Sequence, residues 1–225
     1  MKKVKRLAVG AFICGASSLL QANATGNPHF YLGLTQGIDQ LTHTSPMVGS
    51  NALEMKNHHM GLLVGCKWIE DPSFGWVLGS EVLVRLNAHH ANKSNLHQGN
   101  ILGAFVHHLD LEHGQSVNVA ARVGYKTPLD GLMSPIPFLK VGFITHPMRG
   151  NVNATGLGMK QIHKQFNGLT LGVGVDFPLS YGLPTTDHFM LGLEYTHVFY
   201  KKTDIPVFQG SLKANSFHVR LIYEF

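Results

Sequence analysis

The fold is decided by the stretch from Ser216 to Phe225, which reads SFHVRLIYEF. Successive residues of a β-strand face opposite sides, so the stretch has one apolar face made of Phe217, Val219, Leu221, Tyr223 and Phe225. The other face is largely polar or charged and holds Ser216, His218, Arg220, Ile222 and Glu224. In a soluble β-sandwich the apolar face would be buried. In a transmembrane β-barrel it would contact lipid, and the charged face would line the lumen.

The amino terminus has the pattern of a secretory signal peptide. Four basic residues lie within Met1–Arg6, an apolar run follows, and the segment ends in Gln21-Ala22-Asn23-Ala24. This pattern predicts export and cleavage after Ala24, which divides the chain into a signal peptide at 1–24 and one domain at 25–225. The apolar run is shorter than the roughly 20 residues that a transmembrane helix needs.

Removal of the predicted signal peptide changes the charge balance of the chain. The full sequence has 18 basic and 13 acidic residues, and four of the basic ones precede Leu7, which leaves 14 against 13. A balance this close to neutral gives no reason to expect a nucleic acid as partner. Only Cys66 remains of the two cysteines, so no internal disulfide is expected. We also expect no cofactor.

Eight segments with alternating hydrophobicity recur along the chain after the signal peptide, and each is bounded by turn or loop residues. They cover residues 30–36, 59–68, 76–86, 117–126, 137–146, 168–177, 188–200 and 216–225. No apolar run near 18 residues occurs among them, so the pattern excludes a helical membrane protein. The sequence therefore predicts an all-β fold.

The connections between these segments alternate in length. Those after the second, fourth and sixth segments are short and rich in Pro, Asp and Ser, whereas longer polar connections cover residues 39–58, 87–116, 147–165 and 201–215. Short periplasmic turns that alternate with long outer loops are typical of an up-and-down outer-membrane barrel. We predict eight antiparallel strands. The strand-like run Asn100–Val106 leaves two alternatives, an extension of a barrel hairpin above the membrane or an extra pair that makes ten strands.

The face opposite the apolar one collects charged side chains and many glycines. Its charged members are Lys67, Glu81, Arg85, Arg122, Lys126, Lys140, Asp176, Glu194, Arg220 and Glu224. Charges on a lipid face cost about 2–4 kcal/mol each near the midplane, so their segregation favours a membrane barrel. An eight-stranded lumen is narrow enough for side chains to fill. We hypothesise a luminal charge network in which Glu81 and Glu194 bridge Arg122 and Arg220, with Lys140 on the same face.

Two hairpins carry a resemblance to a known family. Val119–Tyr125 with Pro137–Phe143, and Gly172–Phe177 with Leu191–Tyr195, together with the Phe225 ending, resemble the small outer-membrane β-barrels of the opacity-type surface antigens and porin-like proteins. The resemblance implies assembly through a carboxyl-terminal aromatic signal, here Tyr223 and Phe225. It also implies three kinds of partner: outer-membrane lipid, the barrel-assembly machinery, and a host or surface ligand on the outer loops.

Histidines are abundant in or beside the predicted outer loops. The chain has 15, including His43, His58, His59, His89, His90, His97, His107, His108, His113 and His163. Imidazole is a common ligand for zinc and copper, but neighbouring His-His pairs point to opposite sides of a strand. No carboxylate or cysteine spacing completes a site. We therefore predict no metal site and interpret these histidines as polar loop residues.

The function we expect is that of an outer-membrane surface protein of structural or adhesion type, without enzymatic activity. Two alternatives stay open. A lumen with space for solute would make the protein a porin for small molecules. A lipid-modifying enzyme would need a nucleophile, a base and an orienting group in contact, and the candidates are Ser216, His218 and Glu194. An enzyme is the less favoured alternative because this spacing is common by chance.

Overall fold

The structure is a computed structural model that describes residues 28–44, 53–70, 75–87, 99–101, 104–127, 134–154, 158–179, 188–201 and 211–225. The predicted signal peptide at 1–24 lies outside these residues. Within them the chain forms ten β-strands: β1 His29–Thr44, β2 Leu53–Ile69, β3 Gly75–Asn87, β4 Gly99–Ile101, β5 Ala104–His113, β6 Ser116–Lys126, β7 Ile136–Ala154, β8 Gly158–Pro178, β9 Phe189–Tyr200 and β10 Ser211–Glu224. No helix in this part of the chain is long and apolar enough to cross a membrane.

Eight of the strands close into an antiparallel barrel. The order around the barrel is β1-β2-β3-β6-β7-β8-β9-β10, and β10 pairs with β1 to complete it. In this ring β7 pairs with β8 as well as with β6, so the eight strands leave no open edge between them. The predicted eight-stranded barrel is therefore confirmed, and the ten-stranded alternative is wrong because β4 and β5 lie outside the ring.

Strand β5 continues β6 along the same partner. Both strands pair with β7: β6 pairs with the part of β7 that ends at Thr145, and β5 pairs with the part that begins at Met148. Between the two parts the Gly114 amide donates to the Pro147 carbonyl at 2.8 Å. The short β4 adds to the other edge of β5. The strand-like run at 100–106 thus extends a barrel hairpin, which is the first of the two alternatives predicted from the sequence.

The strands extend further into the long connections than the sequence predicts. Strand β1 continues to Thr44, β2 starts at Leu53, and β10 starts at Ser211. The largest difference is at 147–165, where β7 and β8 stay paired up to Ala154 and Gly158. The prediction of a polar loop there is wrong, because polar residues can occupy both faces of a hairpin that stands in water on both sides.

The two faces of the strands differ as predicted. Apolar side chains point outward and are exposed, as shown by Phe143 at 68%, Leu139 at 63% and Phe217 at 49%. The inward face holds buried charged and polar side chains, among them Lys67, Glu81, Arg85, Arg122, Lys140, Asp176, Glu194 and Arg220. A soluble protein buries its apolar side chains and exposes its charges, so this arrangement is inverted.

Glycines on the inward face make room for the largest luminal side chains. A Cβ at Gly65 would overlap the Tyr31 ring, and a Cβ at Gly37 would lie 2.8 Å from the His59 ring. Because Gly65 and Gly37 have no side chain, the Tyr31 and His59 rings can lie over these neighbouring strands inside the lumen. Tyr31 also packs in an apolar cluster with Leu63, Leu83, Met190 and Ile222. This cluster explains why Ile222 lies on the same inward face as Ser216, His218 and Arg220.

Candidate functional site

The lumen contains a group of charged side chains that we call the inner network. It consists of Glu81, Arg122, Lys140, Asp176, Glu194 and Arg220, one each from β3, β6, β7, β8, β9 and β10. All six residues are buried, with at most 5% of their surface exposed. They meet because strand alternation directs every second side chain inward and the narrow barrel brings the six strands together.

Glu81 is the acceptor at the centre of the inner network. Its carboxylate accepts from Lys140 Nζ at 2.7 Å, from Arg220 Nη2 at 3.0 Å and from the Tyr31 hydroxyl at 3.2 Å. Arg122 Nη1 lies 3.7 Å from the same carboxylate. One negative charge is thus shared by three cations and a phenol hydroxyl.

Glu194 makes the second bridge of the inner network. Its carboxylate accepts from Lys140 and from Arg220, and also from the Thr196 hydroxyl at 2.8 Å. Arg122 makes its short ion pair with Asp176, at 2.6 Å. The structure therefore brings the five predicted network residues together. Glu81 lies between Arg122 and Arg220, which is the predicted arrangement. Glu194 instead contacts Lys140 and Arg220, and Arg122 pairs with Asp176, the carboxylate nearest to it.

Phe138 is the apolar centre of the inner network. The Arg122 guanidinium carbon lies 3.9 Å from the ring centroid of Phe138, and that of Arg220 lies 5.3 Å from it. Cations over an aromatic face are attracted by the ring quadrupole, so Phe138 holds the two guanidinium groups in position. Sequence reasoning missed this role. The available signal was an aromatic residue at an inward position between Pro137 and Leu139.

A second luminal group, which we call the outer cluster, lies nearer the long loops. It consists of Asp39, His59, Arg85, Ser216 and His218, from β1, β2, β3 and β10. Arg85 Nη1 donates to the two Asp39 carboxylate oxygens at 3.2 and 3.3 Å, and to the Ser216 hydroxyl at 3.4 Å. The sequence pattern placed Arg85 and Ser216 on the inward face but did not predict this grouping.

The two imidazoles of the outer cluster form a directed chain of hydrogen bonds. Arg85 Nη2 lies 3.3 Å from His218 Nε2, and because guanidinium is only a donor, that nitrogen must accept. His218 then carries its proton on Nδ1, which faces His59 Nε2 at 3.1 Å. His59 in turn carries its proton on Nδ1, which lies 3.2 Å from Asp39 Oδ2. Arg85 therefore fixes the tautomer of both histidines.

Asp39, His59 and His218 also have the composition of a metal site. Their nearest ligand atoms all lie within 4.8 Å of one another. A metal on His218 Nδ1 would place a proton on Nε2, opposite the donor Arg85 Nη2, so two donors would face each other. The Arg85 contact therefore disfavours metal coordination through His218 Nδ1.

The loop histidines of the sequence analysis have different outcomes. His59 is a luminal residue, 1% exposed, so its interpretation as a polar loop residue is wrong; the register of β2 turns it inward next to Gly37. His58 and His163 are exposed. His89, His90 and His97 lie outside the described residues, and the side chains of His43, His107, His108 and His113 are not described.

The candidate enzyme residues Ser216, His218 and Glu194 have other partners in the structure. Ser216 accepts from Arg85, and both ring nitrogens of His218 are engaged by Arg85 and His59. Glu194 is held by Lys140, Arg220 and Thr196. These contacts do not orient a base toward a nucleophile.

Apolar side chains fill the luminal positions beyond the outer cluster. Leu41, Met148, Phe166 and Leu212 are at most 5% exposed. Tyr200 packs beside them, with its hydroxyl 3.1 Å from His146 Nδ1. At the opposite end, Lys67 pairs with Glu224 at 2.6 Å. In the part of the lumen that the structure describes, side chains therefore occupy the barrel from one end to the other.

The domain family described as "outer membrane protein beta-barrel domain" matches residues 8–225 of the chain. The chain belongs to this family. It is an outer-membrane β-barrel protein, as its resemblance to small outer-membrane barrels predicted. No curated protein sequence matches the chain.

The chain is similar to several solved structures at low sequence identity. Neisserial surface protein A is 11% identical, with 87% of this chain and 97% of that chain covered and a TM-score of 0.45. Ail, the attachment invasion locus protein of Yersinia pestis, is 13% identical, with 87% and 98% covered and a TM-score of 0.44. The outer membrane protease OmpT of Escherichia coli is 10% identical, with 90% and 98% covered and a TM-score of 0.29.

The outer-membrane location assigns the two ends of the barrel. Outer-membrane barrels carry their short turns on the periplasmic side. The strand ends at Ile69, Lys126 and Pro178, together with Phe225, therefore lie at the periplasmic side, and the opposite strand ends lie outside. Aromatic side chains are grouped at the periplasmic end: the Tyr223 ring centroid lies 5.0 Å from Phe189 and 5.2 Å from Phe225, and Trp76 lies 5.5 Å from Tyr125. Phe225 is 70% exposed, and its amide donates to the Phe30 carbonyl at 2.9 Å. Such a girdle is typical of the membrane interface.

Proposed function

We propose that this protein is a surface protein of adhesion type, in which a filled barrel holds a rigid outer sheet above the membrane. The observation that carries the proposal is the length of β7 and β8. The pairing of β7 with β6 ends at Thr145, and that of β8 with β9 ends at Gly168, but β7 and β8 remain paired to Ala154 and Gly158. This hairpin continues past its barrel neighbours by nine residues, 146–154, or roughly 30 Å of strand.

Strands β4 and β5 widen the projecting hairpin. Together with the outer parts of β7 and β8 they form a sheet in the order β4-β5-β7-β8, which we call the outer sheet. Backbone pairing restricts the freedom of such a surface before it meets a ligand, and a preorganised surface loses less conformational entropy on binding. The outer sheet thus suits protein contact at the cell surface.

The filled lumen argues against the porin alternative. Five basic and five acidic side chains pair within it: Lys67, Arg85, Arg122, Lys140 and Arg220 with Asp39, Glu81, Asp176, Glu194 and Glu224. An ion would have to displace these paired groups to pass. We also propose a non-catalytic role, supported by the unproductive contacts of Ser216, His218 and Glu194.

Adhesion is tested with bacteria that express the wild type or a variant whose hairpin is shortened by replacing residues 150–162 with a two-residue Asn-Gly turn. We expect the wild type to increase attachment to a cultured epithelial monolayer and the shortened variant to lose the increase at equal surface expression. Equal attachment of the two strains would contradict the proposal. Planar-bilayer recording separately tests the porin alternative, and stable unit conductance would favour it.

We further propose that the barrel-assembly machinery recognises the last strand through Tyr223 and Phe225. Both side chains face outward at the periplasmic end, where β10 also closes the barrel against β1. Phe225→Ala should reduce the amount of folded protein in the outer membrane, measured on unboiled gels. Phe217→Ala, on the same face of β10 but eight residues from the end, is the matched control and should have a smaller effect. Equal effects of the two substitutions would contradict the proposal.

A further inference from the structure

Two buried imidazoles of the outer cluster meet over a glycine. Gly37 of β1 is the register partner of both His59 on β2 and His218 on β10. The three residues therefore form one row across three neighbouring strands, and all three face inward. A Cβ at Gly37 would lie 2.8 Å from two ring atoms of His59. Because Gly37 has no side chain, the two rings reach each other over β1, with their centroids 4.8 Å apart. We call His59 and His218 the imidazole pair.

Every ring nitrogen of the imidazole pair already faces another polar group. His218 Nε2 lies 3.3 Å from Arg85 Nη2, and His218 Nδ1 lies 3.1 Å from His59 Nε2. His59 Nδ1 lies 3.2 Å from Asp39 Oδ2. Since a guanidinium group only donates, one arrangement of two protons places a donor opposite an acceptor at all three contacts. The neutral pair, which carries two protons, is therefore complete.

An additional proton on the imidazole pair has to break one of these contacts. On His218 Nε2 the proton would point at the donor Arg85, and on His59 Nε2 it would point at the N–H of His218. If His218 changed its tautomer in order to accept from His59, its own N–H would again point at Arg85. Whichever ring takes up the proton, His218 therefore loses its contact with Arg85 or with His59.

Titratable and charged side chains of the other strands face the imidazole pair inside the lumen. They are Asp39 on β1, Arg85 on β3, Lys140 and His146 on β7, and Glu194 and Tyr200 on β9. The inward charges of β6 and β8, Arg122 and Asp176, pair with each other in the inner network. Glu194 is the register partner of His218. A protonated His218 ring that leaves Arg85 therefore meets a carboxylate on the next strand, which stabilises the displaced ring.

We propose that the imidazole pair is an acid-sensitive latch at the outer end of the lumen. In its neutral form it joins β10 to β2 over Gly37 and to β3 through Arg85. In mild acid, where histidine titrates, the pair takes up a proton, one of these contacts breaks, and the outer parts of β1, β2 and β10 gain freedom. These strand parts reach Thr44, Leu53 and Ser211, on the side of the long connections.

The latch makes the outer end of the barrel respond to the acidity of the medium. The proposal goes beyond the adhesion function, because it concerns the lumen and does not depend on what the outer sheet contacts. The direction of the response follows from the proton count. The open form carries the additional proton, so a fall in pH favours the open form, by up to about tenfold in the ratio of open to closed barrels per pH unit.

The test follows the full barrel by NMR, in zwitterionic micelles with a metal chelator, over the range from about pH 8 to about pH 5 in which histidine titrates. We expect the imidazole nitrogens of His59 and His218 and the backbone amides of Gly37 and Arg85 to change with one common midpoint. Amides in the outer parts of β1 and β10 should lose protection from hydrogen exchange, after correction for the pH dependence of the exchange reaction. Return to neutral pH should restore the signals, and unboiled gels should show a folded barrel throughout.

Three variants identify the groups that respond. The double variant His59→Gln/His218→Gln has no titratable ring in the pair and should lose the response at Gly37 and Arg85. His58→Gln is the matched control and should keep the response, because His58 is the exposed neighbour of His59. If the double variant fails to fold, His218→Gln replaces it, since this change removes the ring that contacts both Arg85 and His59.

The latch would be overturned by amide signals and exchange protection that stay constant with pH in the wild type. A response that persists without the two rings, or one that disappears in His58→Gln, would overturn it as well, because another group would then be titrating. Unfolding of the wild-type barrel at the acid end would also contradict the proposal, which requires a local and reversible change.

Discussion

The inner network and the outer cluster are both buried and polar, but they compensate their charges in different ways. The inner network takes one charged side chain from each of six strands, β3 and β6 to β10. Glu81 and Glu194 are each shared among several cations, and Asp176 pairs with Arg122. The outer cluster takes its residues from β1, β2, β3 and β10 and is built on one ion pair between Arg85 and Asp39. The His218 ring contacts Arg85, and the His59 ring contacts Asp39.

The two groups should respond differently to the loss of one side chain. A shared carboxylate in the inner network is tied to several cations, so the loss of one acid leaves more than one buried charge without compensation. In the outer cluster the loss of one imidazole removes hydrogen bonds but leaves the Arg85–Asp39 pair in place. The inner network should therefore contribute more to barrel stability, and the outer cluster more to the orientation of its side chains.

The largest effect is expected for Glu81→Gln. The substitution leaves Lys140, Arg220 and Arg122 with reduced compensation and should cost about 3–5 kcal/mol, the usual effect of removing one partner of a buried ion pair. It is measured by urea unfolding of the barrel refolded in lipid vesicles. Glu70→Gln is the control at an exposed position and should change stability by at most about 0.5 kcal/mol. Similar values for the two variants would refute a stabilising inner network.

A smaller loss is expected for His59→Gln in the outer cluster. The His59 ring accepts from His218 Nδ1 and lies 3.2 Å from Asp39. Its removal leaves the buried His218 N–H without an acceptor, at about 1–3 kcal/mol. The adjacent His58 is exposed on the outward face, so His58→Gln is a matched control that should be nearly neutral. If His59→Gln destabilised the barrel more than Glu81→Gln, the ranking of the two groups would be reversed.

A double-mutant cycle tests whether the two groups are separate. His218 is paired with Glu194 in the register of β9 and β10, so these residues connect the outer cluster to the inner network. We expect Glu194→Gln and His218→Gln to couple by at least about 0.5 kcal/mol, whereas Glu81→Gln and His59→Gln should be additive within about 0.5 kcal/mol. Coupling of equal size in both cycles would indicate one continuous network.

The smallest effect is spectroscopic, and it is read in the wild type as the tautomers of His59 and His218. The donor Arg85 imposes the Nδ1–H tautomer on both His218 and His59, and nitrogen-15 chemical shifts of the imidazoles distinguish it from the Nε2–H form. Both histidines should show the Nδ1–H form in the wild type, and Arg85→Gln should release this constraint. Nε2–H tautomers in the wild type would contradict the hydrogen-bond chain.

The sequence by itself determined the fold, because alternation along each strand is a local property. The apolar faces of segments such as Gly168–Phe177 and Ser216–Phe225 specify lipid contact, and the inward charges specify a polar lumen. The count of alternating segments predicted the strand number, and the alternating connection lengths indicated an up-and-down barrel. Sequence reasoning also placed Glu81, Arg122, Lys140, Glu194 and Arg220 on the luminal face, since only strand parity is needed for that.

Only the tertiary structure decided which luminal side chains are partners. Neighbours across the lumen depend on strand register and on barrel closure, which a single sequence does not encode locally. For this reason Asp176 as the partner of Arg122, Phe138 beneath the guanidinium groups, and the relay through His59 and His218 were not predicted. The length of the projecting hairpin was missed for a related reason: polar residues between strands look like a loop in the sequence, and only their backbone pairing across β7 and β8 makes them a sheet.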